Sequence, residues 1–156
     1  MKTYRISKYD PTKRAENGVY LLDEWTSISD IGKIFPGGVL NANEYYKIEN
    51  EYVSTFREIV EWLKIDTLHI RRFESSSRFP NASRYKKHPV LSIDEACDFL
   101  TLCLREYCWG IIKSRRLFNF SAYVGYDYYL YINTLLDMSE IDSFARQNNL
   151  YCELCN

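Results

Sequence analysis

One long stretch of this sequence carries apolar side chains at a helical spacing. Between about Asn43 and Lys64, apolar residues recur every three or four positions, which places them on one face of a helix of roughly six turns. Such a helix needs a second layer to bury that face, so a layered fold around one hydrophobic core is predicted. The predicted apolar stripe consists of Tyr45, Ile48, Tyr52, Phe56, Ile59 and Leu63.

A second helix is predicted from the capping-box pattern Ser92-Ile-Asp-Glu95. In this pattern the serine and glutamate side chains each accept a hydrogen bond from a backbone N–H group at the start of the helix. The helix is expected to extend to about Cys108, and Gly110 is placed to end it. A short last helix, capped by Ser139, is expected to reach about Asn148.

Alternating apolar and polar residues predict strands at several places in the chain. Two of these runs flank Gly125 and are typical of an antiparallel hairpin. Because helices and strands do not alternate regularly, the predicted class is α+β: a single domain (residues 1–156) with two long helices packed on a mainly antiparallel sheet of four to five strands. The predicted strands are Thr3–Lys8, Leu68–Phe73, 118–122, 126–132 and Leu150–Leu154.

Length and composition fit one globular domain and exclude several classes of protein. The chain has 156 residues, is 46% hydrophobic and contains 6 Gly and 4 Pro, which excludes disordered and collagen-like chains. No apolar run approaches the roughly 20 residues that a membrane-spanning helix needs, so no membrane association is predicted. No apolar signal core follows Met1–Arg5, and a cytoplasmic location is predicted.

The five cysteines are predicted to be reduced thiols that bind no metal ion. Their number is odd and no signal peptide is recognisable, which disfavours a disulfide framework. Cys152 and Cys155 have the C-x-x-C spacing of a zinc knuckle or a redox pair. A zinc site normally needs a second pair of ligands, and no second pair has the required spacing. No metal and no cofactor are therefore predicted.

No catalytic motif is recognisable, and the chain is predicted not to be an enzyme. Its two histidines, His69 and His88, do not adjoin a serine or cysteine in a nucleophile motif. The sequence also lacks a phosphate-binding glycine loop and an H-E-x-x-H metal motif. No catalytic residue is assigned.

Charge is unevenly distributed, although the formal net charge is only −1. Residues 41–66 carry six acids and three bases, whereas residues 67–90 carry six bases and one acid. The small net charge disfavours nucleic-acid binding through bulk charge. The basic segment interleaves Phe73, Phe79 and Tyr85, so an RNA-binding module is the alternative hypothesis. Its basic residues are Arg71, Arg72, Arg78, Arg84, Lys86 and Lys87.

Tyrosine is unusually abundant, with 14 Tyr against 8 Phe and 3 Trp, which favours a surface that meets another protein. On the first predicted helix, three glutamates recur every seven residues and line one side, and a tryptophan follows the last of them by one turn. Such a row offers carboxylates and one aromatic anchor to a basic partner. The candidate partner-binding residues are Glu44, Glu51, Glu58 and Trp62, followed by Asp127 and Tyr128 of the hairpin.

Two segments near the N-terminus resemble a known group of small bacterial proteins. Tyr4-Arg-Ile-Ser-Lys-Tyr-Asp-Pro11 and Asp23-Glu-Trp-Thr-Ser-Ile-Ser-Asp-Ile-Gly-Lys33 are similar to immunity proteins of polymorphic-toxin and contact-dependent growth inhibition systems. The resemblance covers about the first 35 residues and, more loosely, the Tyr-rich hairpin and the tail Leu150–Cys155. It implies a protein that binds and neutralises a cognate toxin, the C-terminal domain of a large secreted protein, and it carries over no catalytic residue.

The toxin is expected to be a nuclease such as an RNase, because a basic substrate groove suits an acidic inhibitor. The Asp23–Lys33 segment has two interpretations. Trp25 and Ile28 fill the core while nearby serine and aspartate side chains satisfy backbone donors, or the segment contacts the toxin directly. The oligomeric state is not predicted.

Overall fold

A seven-stranded antiparallel sheet organises the chain. The structure is a computed structural model and describes residues 1–76, 83–114 and 119–155. In chain order its strands are β1 (Lys2–Ser7), β2 (Ile34–Phe35), β3 (Gly38–Val39), β4 (Leu68–Ser75), β5 (Val90–Leu91), β6 (Cys108–Ser114), β7 (Ser121–Val124), β8 (Leu130–Thr134) and β9 (Tyr151–Cys155). Strands β2 and β3 form a separate hairpin, and the others form the sheet in the order β5-β4-β6-β7-β8-β1-β9. Every neighbouring pair is antiparallel.

The helices cover one face of this sheet. They are α1 (Ala42–Trp62), α2 (Ser83–Lys86), α3 (Ile93–Leu104) and α4 (Met138–Gln147). Helix α1 packs between α3 and α4. Side chains along β8 alternate between the two faces: Leu130 and Ile132 are fully buried towards the helices, whereas Tyr131 is half-buried on the other face. Within the described residues, no helix is long and apolar enough to span a membrane.

The predicted α+β class is confirmed, but the predicted number of strands is too low. The sheet has seven strands because β5 and β6 also belong to it. Strand β6 occupies the position where the second helix was predicted to reach Cys108 and to end at Gly110. Helix α3 instead ends at Leu104, and Gly110 lies inside β6. Strands β1 and β9 lie close to their predicted positions. The predicted hairpin of β7 and β8 forms, but Tyr126–Tyr128 belong to its turn and not to the predicted strand 126–132, and Phe118 lies outside the described residues.

Gly110 is required by close packing inside the sheet and does not end a helix. A Cβ atom at this position would lie 2.9 Å from Ile70 Cγ2 and 3.1 Å from Phe99 Cζ. Both of these side chains are fully buried. The absence of a side chain therefore lets the Phe99 ring of α3 approach the backbone of β6.

The three longer helices end in the same hydrogen-bond motif without a glycine. After α3, the N–H groups of Glu106 and Tyr107 donate back to carbonyl oxygens in the last turn at 3.0 Å, the Schellman pattern. Glu106 has a φ of 60°, a left-handed conformation that usually favours glycine. Lys64 after α1 and Asn149 after α4 occupy the same place with φ of 53° and 58°. These helix ends consequently carry little signal in the sequence.

The helix starts follow side-chain capping. Asn41 Oδ1 accepts a hydrogen bond from the Glu44 N–H at 2.9 Å and starts α1. The predicted capping box of Ser92 at α3 is confirmed. The last helix starts two residues earlier than predicted from Ser139, because Asp137 is its N-cap and Glu140 accepts a hydrogen bond from the Asp137 N–H at 2.9 Å.

Buried tyrosine hydroxyl groups make hydrogen bonds within the core. Tyr52 accepts from the Lys8 N–H at 2.8 Å, and the Tyr128 hydroxyl donates to that of Tyr45 at 3.1 Å. The Tyr9 hydroxyl donates at 2.8 Å to a backbone carbonyl in the turn between β7 and β8. Burial raises the pKa of Tyr9, Tyr52 and Tyr128 above the ordinary value of 10.0. These hydroxyls stay protonated in the folded chain well above pH 10.

Stability should fall steeply above pH 10. The folded-state pKa of Tyr9, Tyr52 and Tyr128 is higher than the unfolded one, so their contribution is full below pH 10 and is lost as the pH rises further. Each of the three should contribute a slope of about 1.4 kcal/mol per pH unit. Urea unfolding at a series of pH values measures this slope.

The Tyr128→Phe variant is the control for this measurement. Its free energy of unfolding should fall less steeply with pH than that of the wild type, by the contribution of one tyrosine. Lys8 acts in the opposite direction, because burial lowers its pKa below 10.5 and stability rises with pH up to that value. The stability gained from Lys8 as the pH rises is smaller than the stability lost from the three tyrosines. A free energy of unfolding that is constant between pH 9 and pH 11 would contradict the tyrosine assignment.

The apolar face of α1 is the major contributor to the core. Phe56 has 0% exposed surface, and its ring centroid lies 6.2 Å from that of Phe120. Phe56→Ala should therefore lower the free energy of unfolding by about 3–5 kcal/mol. Lys47→Ala, at an exposed position of the same helix, should change it by no more than about 0.5 kcal/mol. Equal losses in denaturant unfolding would show that the helix faces are assigned wrongly.

Candidate partner-binding surfaces

The predicted row of glutamates lies along α1 on the side that meets α4. Glu44 is exposed. Glu51 and Glu58 are half-buried, because Asn149 Nδ2 donates to Glu51 Oε1 and Asn148 Nδ2 to Glu58 Oε2, each at 3.0 Å. These amide donors are neutral, and they hold the two carboxylates in place.

Trp62 completes this row as predicted. Its side chain is 59% exposed, and its ring centroid lies 6.1 Å from that of Phe144 on α4. The indole therefore rests against a neighbouring ring and still offers one face to solvent. Glu44, Glu51, Glu58 and Trp62 form the acidic row, a surface of the helical layer.

The structure separates the other two candidates, Asp127 and Tyr128. Asp127 is exposed, but Tyr128 is only 3% exposed and packs in the core against Trp25, with ring centroids 5.0 Å apart. Tyr128 is therefore not available to a partner, and its selection as a binding residue is corrected. The exposed aromatic residue of this turn is Tyr126, whose side chain is 94% exposed.

The turn between β7 and β8 is held in a strained conformation. Asp127 and Tyr128 have φ of 58° and 64°, and consecutive left-handed residues other than glycine are uncommon. Two anchors maintain the turn: the Tyr9 hydroxyl donates to the Asp127 carbonyl, and the Tyr128 ring is buried beside Tyr45. As a result, Tyr126 projects fully into solvent.

A groove opens beside this turn, where β6 and β7 separate. Their ladder has only two residue pairs, Ile112 with Ala122 and Lys113 with Ser121. Beyond the ladder, the Trp109 indole N–H donates to the Val124 carbonyl at 2.7 Å and bridges the two strands. The groove that opens here has a volume of about 1120 Å³ and extends to the end of β4, the end of α3 and Thr26. We name it the aromatic groove, and its aromatic lining includes Trp109, Tyr123, Tyr126, Tyr129 and Tyr131.

Ring packing keeps the walls of the aromatic groove in a fixed arrangement. Tyr123 and Tyr131 are stacked, with centroids 5.0 Å apart and an interplanar angle of 15°. Trp109 lies 6.4 Å from Tyr123 and meets it edge to face. A Cβ atom on Gly125 would come within 2.6 Å of Tyr131 Cε2, so glycine at this position lets the Tyr131 ring approach the backbone of the turn.

Three carboxylates border the aromatic groove. Glu74 is the register partner of Trp109 across the β4–β6 ladder, and Glu106 and Asp127 also line the space. Only Asp127 among these was a sequence candidate. The strand predicted over Leu68–Phe73 stops short of Glu74, and the second helix was predicted to reach about Cys108, so the pairing of Glu74 with Trp109 had no signal in the sequence. The alternating tyrosines of the hairpin were the one available clue.

The two N-terminal segments that carry the family resemblance contact each other. Lys8 Nζ lies 2.9 Å from Glu24 Oε2 and is close to the rings of Tyr9 and Trp25, at 4.1 and 4.3 Å from their centroids. Burial of this ammonium group lowers the pKa of Lys8. The contact joins the end of β1 to the Asp23–Lys33 segment.

The structural interpretation of the Asp23–Lys33 segment is confirmed. Trp25 is buried in the core, and Ile28 packs against it from a partly buried position. Asp30 Oδ2 accepts from the Thr26 N–H at 2.9 Å, and Ser27 Oγ accepts from the N–H two residues later at 3.2 Å. These side chains add to the backbone hydrogen bonds of a short 3-10 turn over Ile28–Asp30 and stabilise the segment.

The basic segment does not present its described aromatic rings to solvent. Tyr85 is buried, and its ring centroid lies 4.9 Å from that of Phe99 in the core. Phe73 packs against the same two rings. Arg84 donates to Glu95 at 3.3 Å, whereas Arg71, Arg72, Lys86 and Lys87 are exposed. Arg78 and Phe79 lie outside the described residues.

Strand geometry separates the two cysteines of the C-x-x-C pair. Cys152 pairs with Ile6 and lies under α4, where its Sγ is 3.8 Å from Met138 Sδ, whereas Cys155 pairs with Thr3. Residues three apart in a strand point to opposite faces, so these thiols cannot ligate one ion. Burial also raises the pKa of Cys152 to about 12. Within the described parts of the chain, no group of three or more potential ligands is close enough to hold a metal ion.

All five cysteines should react as free thiols, and the purified protein should contain no zinc. Cys97, Cys103, Cys108, Cys152 and Cys155 are all unpaired. Thiol titration under denaturing conditions and elemental analysis of the native protein measure the two quantities. Stoichiometric zinc that disappears in a Cys152→Ser/Cys155→Ser double variant would contradict the assignment.

Comparison with protein-family models, with curated proteins and with solved structures finds no match to this chain.

Proposed function

We propose that this chain is an immunity protein that binds a cognate toxin domain, a nuclease such as an RNase, and blocks its activity. One observation carries the proposal: the most exposed aromatic side chains in the described chain lie beside carboxylates. Trp62 follows Glu58 by one turn of α1, and Tyr126 adjoins Asp127. A toxin that binds RNA needs a basic surface, and rigid aromatic anchors next to carboxylates are complementary to it.

The N-terminal resemblance supports the same function. In this proposal the chain acts in the cytoplasm by binding, without a cofactor and without catalysis of its own. Its partner is the C-terminal domain of a large secreted protein. Electrostatic attraction would speed the encounter, and the desolvated aromatic and charged contacts would slow dissociation.

Inhibition of the toxin is the direct test of this proposal. The purified chain is mixed with the C-terminal domain encoded by the gene immediately upstream, and cleavage of an RNA substrate is followed. Equimolar chain should abolish cleavage. A domain that is neither bound nor inhibited would contradict the proposal, and binding of the RNA by the chain alone would favour the alternative RNA-binding module.

Charge reversal on the acidic row should weaken this complex. Glu51→Lys combined with Glu58→Lys adds repulsion and removes attraction, so affinity should fall at least about tenfold, or about 1.4 kcal/mol. Titration calorimetry at two salt concentrations measures the change, and the loss should be larger at low salt.

A matched control changes the same number of charges elsewhere. Glu16→Lys with Asp23→Lys alters two exposed acids in the N-terminal segment and should leave affinity within about twofold of wild type if the acidic row is the interface. Thermal melts of both variants exclude unfolding as the cause. Unchanged affinity in the Glu51/Glu58 variant with an unchanged melt would show that the interface lies elsewhere.

A further inference from the structure

We propose that the aromatic groove is the receptor for an arginine side chain of the protein partner. The inference rests on the proposed function, because it names the chemical group that the partner presents. The groove is independent of the acidic row, which lies on the helical layer. It is formed instead by the gap between β6 and β7 and by the turn that follows β7.

The aromatic walls provide flat surfaces for a planar cation. Tyr123 and Tyr131 are stacked and half-buried, Trp109 meets Tyr123 edge to face, and Tyr126 stands fully exposed at the rim. Tyr123 and Tyr131 each use one face in their mutual stacking, so the ring left open to a guanidinium group is that of the exposed Tyr126, on which it stacks through cation–π attraction. The same rings already serve this purpose nearby, since the guanidinium of Arg5 lies 4.8 Å from the centroid of Tyr129, another residue that lines the groove.

The charge of the aromatic groove selects a cation. Glu74, Glu106 and Asp127 line it, and none of its described lining residues is a lysine, an arginine or a histidine. The guanidinium groups of Arg5 and Arg14 lie beside the Tyr129 ring, but both are paired with Glu153. Glu106 accepts a hydrogen bond from the Ser27 hydroxyl at 3.1 Å, which is a neutral donor. An incoming guanidinium would supply the missing positive charge and can donate two parallel hydrogen bonds to one carboxylate.

The position of the charges beside the rings favours arginine over a phosphate or a nucleic-acid base. A phosphate brought to this groove would meet three carboxylates at close range, and like charges repel. An arginine can use the rings and the carboxylates together, because its planar guanidinium group stacks on a ring while its N–H groups donate to a carboxylate. The strained turn keeps Tyr126 and Asp127 in place before the partner arrives, which reduces the ordering cost of binding.

The closing experiment uses a small probe and needs no toxin. Nitrogen-15-labelled wild-type chain is titrated with N-acetyl-L-arginine amide, and N-acetyl-L-citrulline amide is the neutral control of nearly the same shape. The three indole N–H signals of Trp25, Trp62 and Trp109 are followed by NMR and assigned with Trp→Phe variants. The Trp109 indole reports the groove, because it bridges β6 to Val124 at the edge of the space. Trp62, on the acidic row, is an internal control.

We expect the arginine probe to shift the Trp109 signal in a saturable way and the citrulline probe to leave it unchanged. Glu74→Gln combined with Asp127→Asn should weaken the arginine response at least about fivefold, because it removes two carboxylates from the groove. Asparagine tolerates the left-handed conformation of residue 127, so this variant keeps the turn. Tyr126→Ala, at a fully exposed position, is a second variant that leaves the core intact and should also weaken binding.

The possible outcomes test the arginine site and the immunity function separately. Equal responses to arginine and citrulline, or an arginine response that the variants do not weaken, would overturn the arginine site and leave toxin binding to its own test. A shift of Trp109 by oligouridine but not by arginine would overturn it in favour of nucleic acid. If the upstream toxin domain binds wild-type chain, the Glu74/Asp127 variant should bind it about tenfold more weakly. Failure of that domain to bind wild-type chain would contradict the immunity function, and the probe titration would still decide the site.

Discussion

The structure depends on burying tyrosine hydroxyl groups together with their hydrogen-bond partners. A buried hydroxyl without a partner would cost about 1–3 kcal/mol, so each of these rings has to be matched to a specific donor or acceptor. Tyr52 binds the backbone after β1, Tyr45 binds Tyr128, and Tyr9 binds the turn between β7 and β8. These contacts join α1, the N-terminal segment and the hairpin, which are far apart in the chain.

The same hydrogen bonds explain the form of the candidate surface. Because Tyr128 turns into the core, its neighbour Tyr126 has to turn outwards, and the backbone between them adopts left-handed conformations. The hairpin is thereby held away from β6, and Trp109 bridges the gap that remains. The exposed Tyr126 ring and the open groove therefore follow from the hydrogen bond and packing that bury Tyr128 in the core. Partner binding would use a feature that folding has already stabilised.

The two N-terminal segments contain residues whose role in the structure is to hold the fold together. Lys8, Glu24 and Trp25 belong to the segments Tyr4–Pro11 and Asp23–Lys33, and the partly buried Lys8–Glu24 ion pair lies beside the Trp25 ring. Their contribution is to attach an irregular segment to the sheet. Of the surfaces proposed for binding, the acidic row on α1 lies outside these two segments, whereas the aromatic groove includes Thr26 of the second.

Local physical chemistry in the sequence determined the helices and their buried faces. The spacing of Tyr45, Tyr52 and Phe56 requires a helix with one apolar side, and the capping box at Ser92 starts another, because both effects act within one or two turns. The alternation of the hairpin residues around Gly125 likewise predicted β7 and β8. The row of glutamates with Trp62 could be read from the same helical geometry, but not the two asparagine amides after α4 that hold two of its carboxylates.

Tertiary structure alone decided where α3 ends, which strands pair and where the groove lies. Helix α3 ends at Leu104, and Glu106, which does not favour a left-handed backbone, adopts it just after this end as the chain turns into β6. Gly110 belongs to a strand because Ile70 and Phe99, distant in sequence, leave no room for a side chain. Glu74 and Trp109 border one groove only because β4 pairs with β6. Such contacts have no local signal, since their free energy is realised only when distant segments pack together.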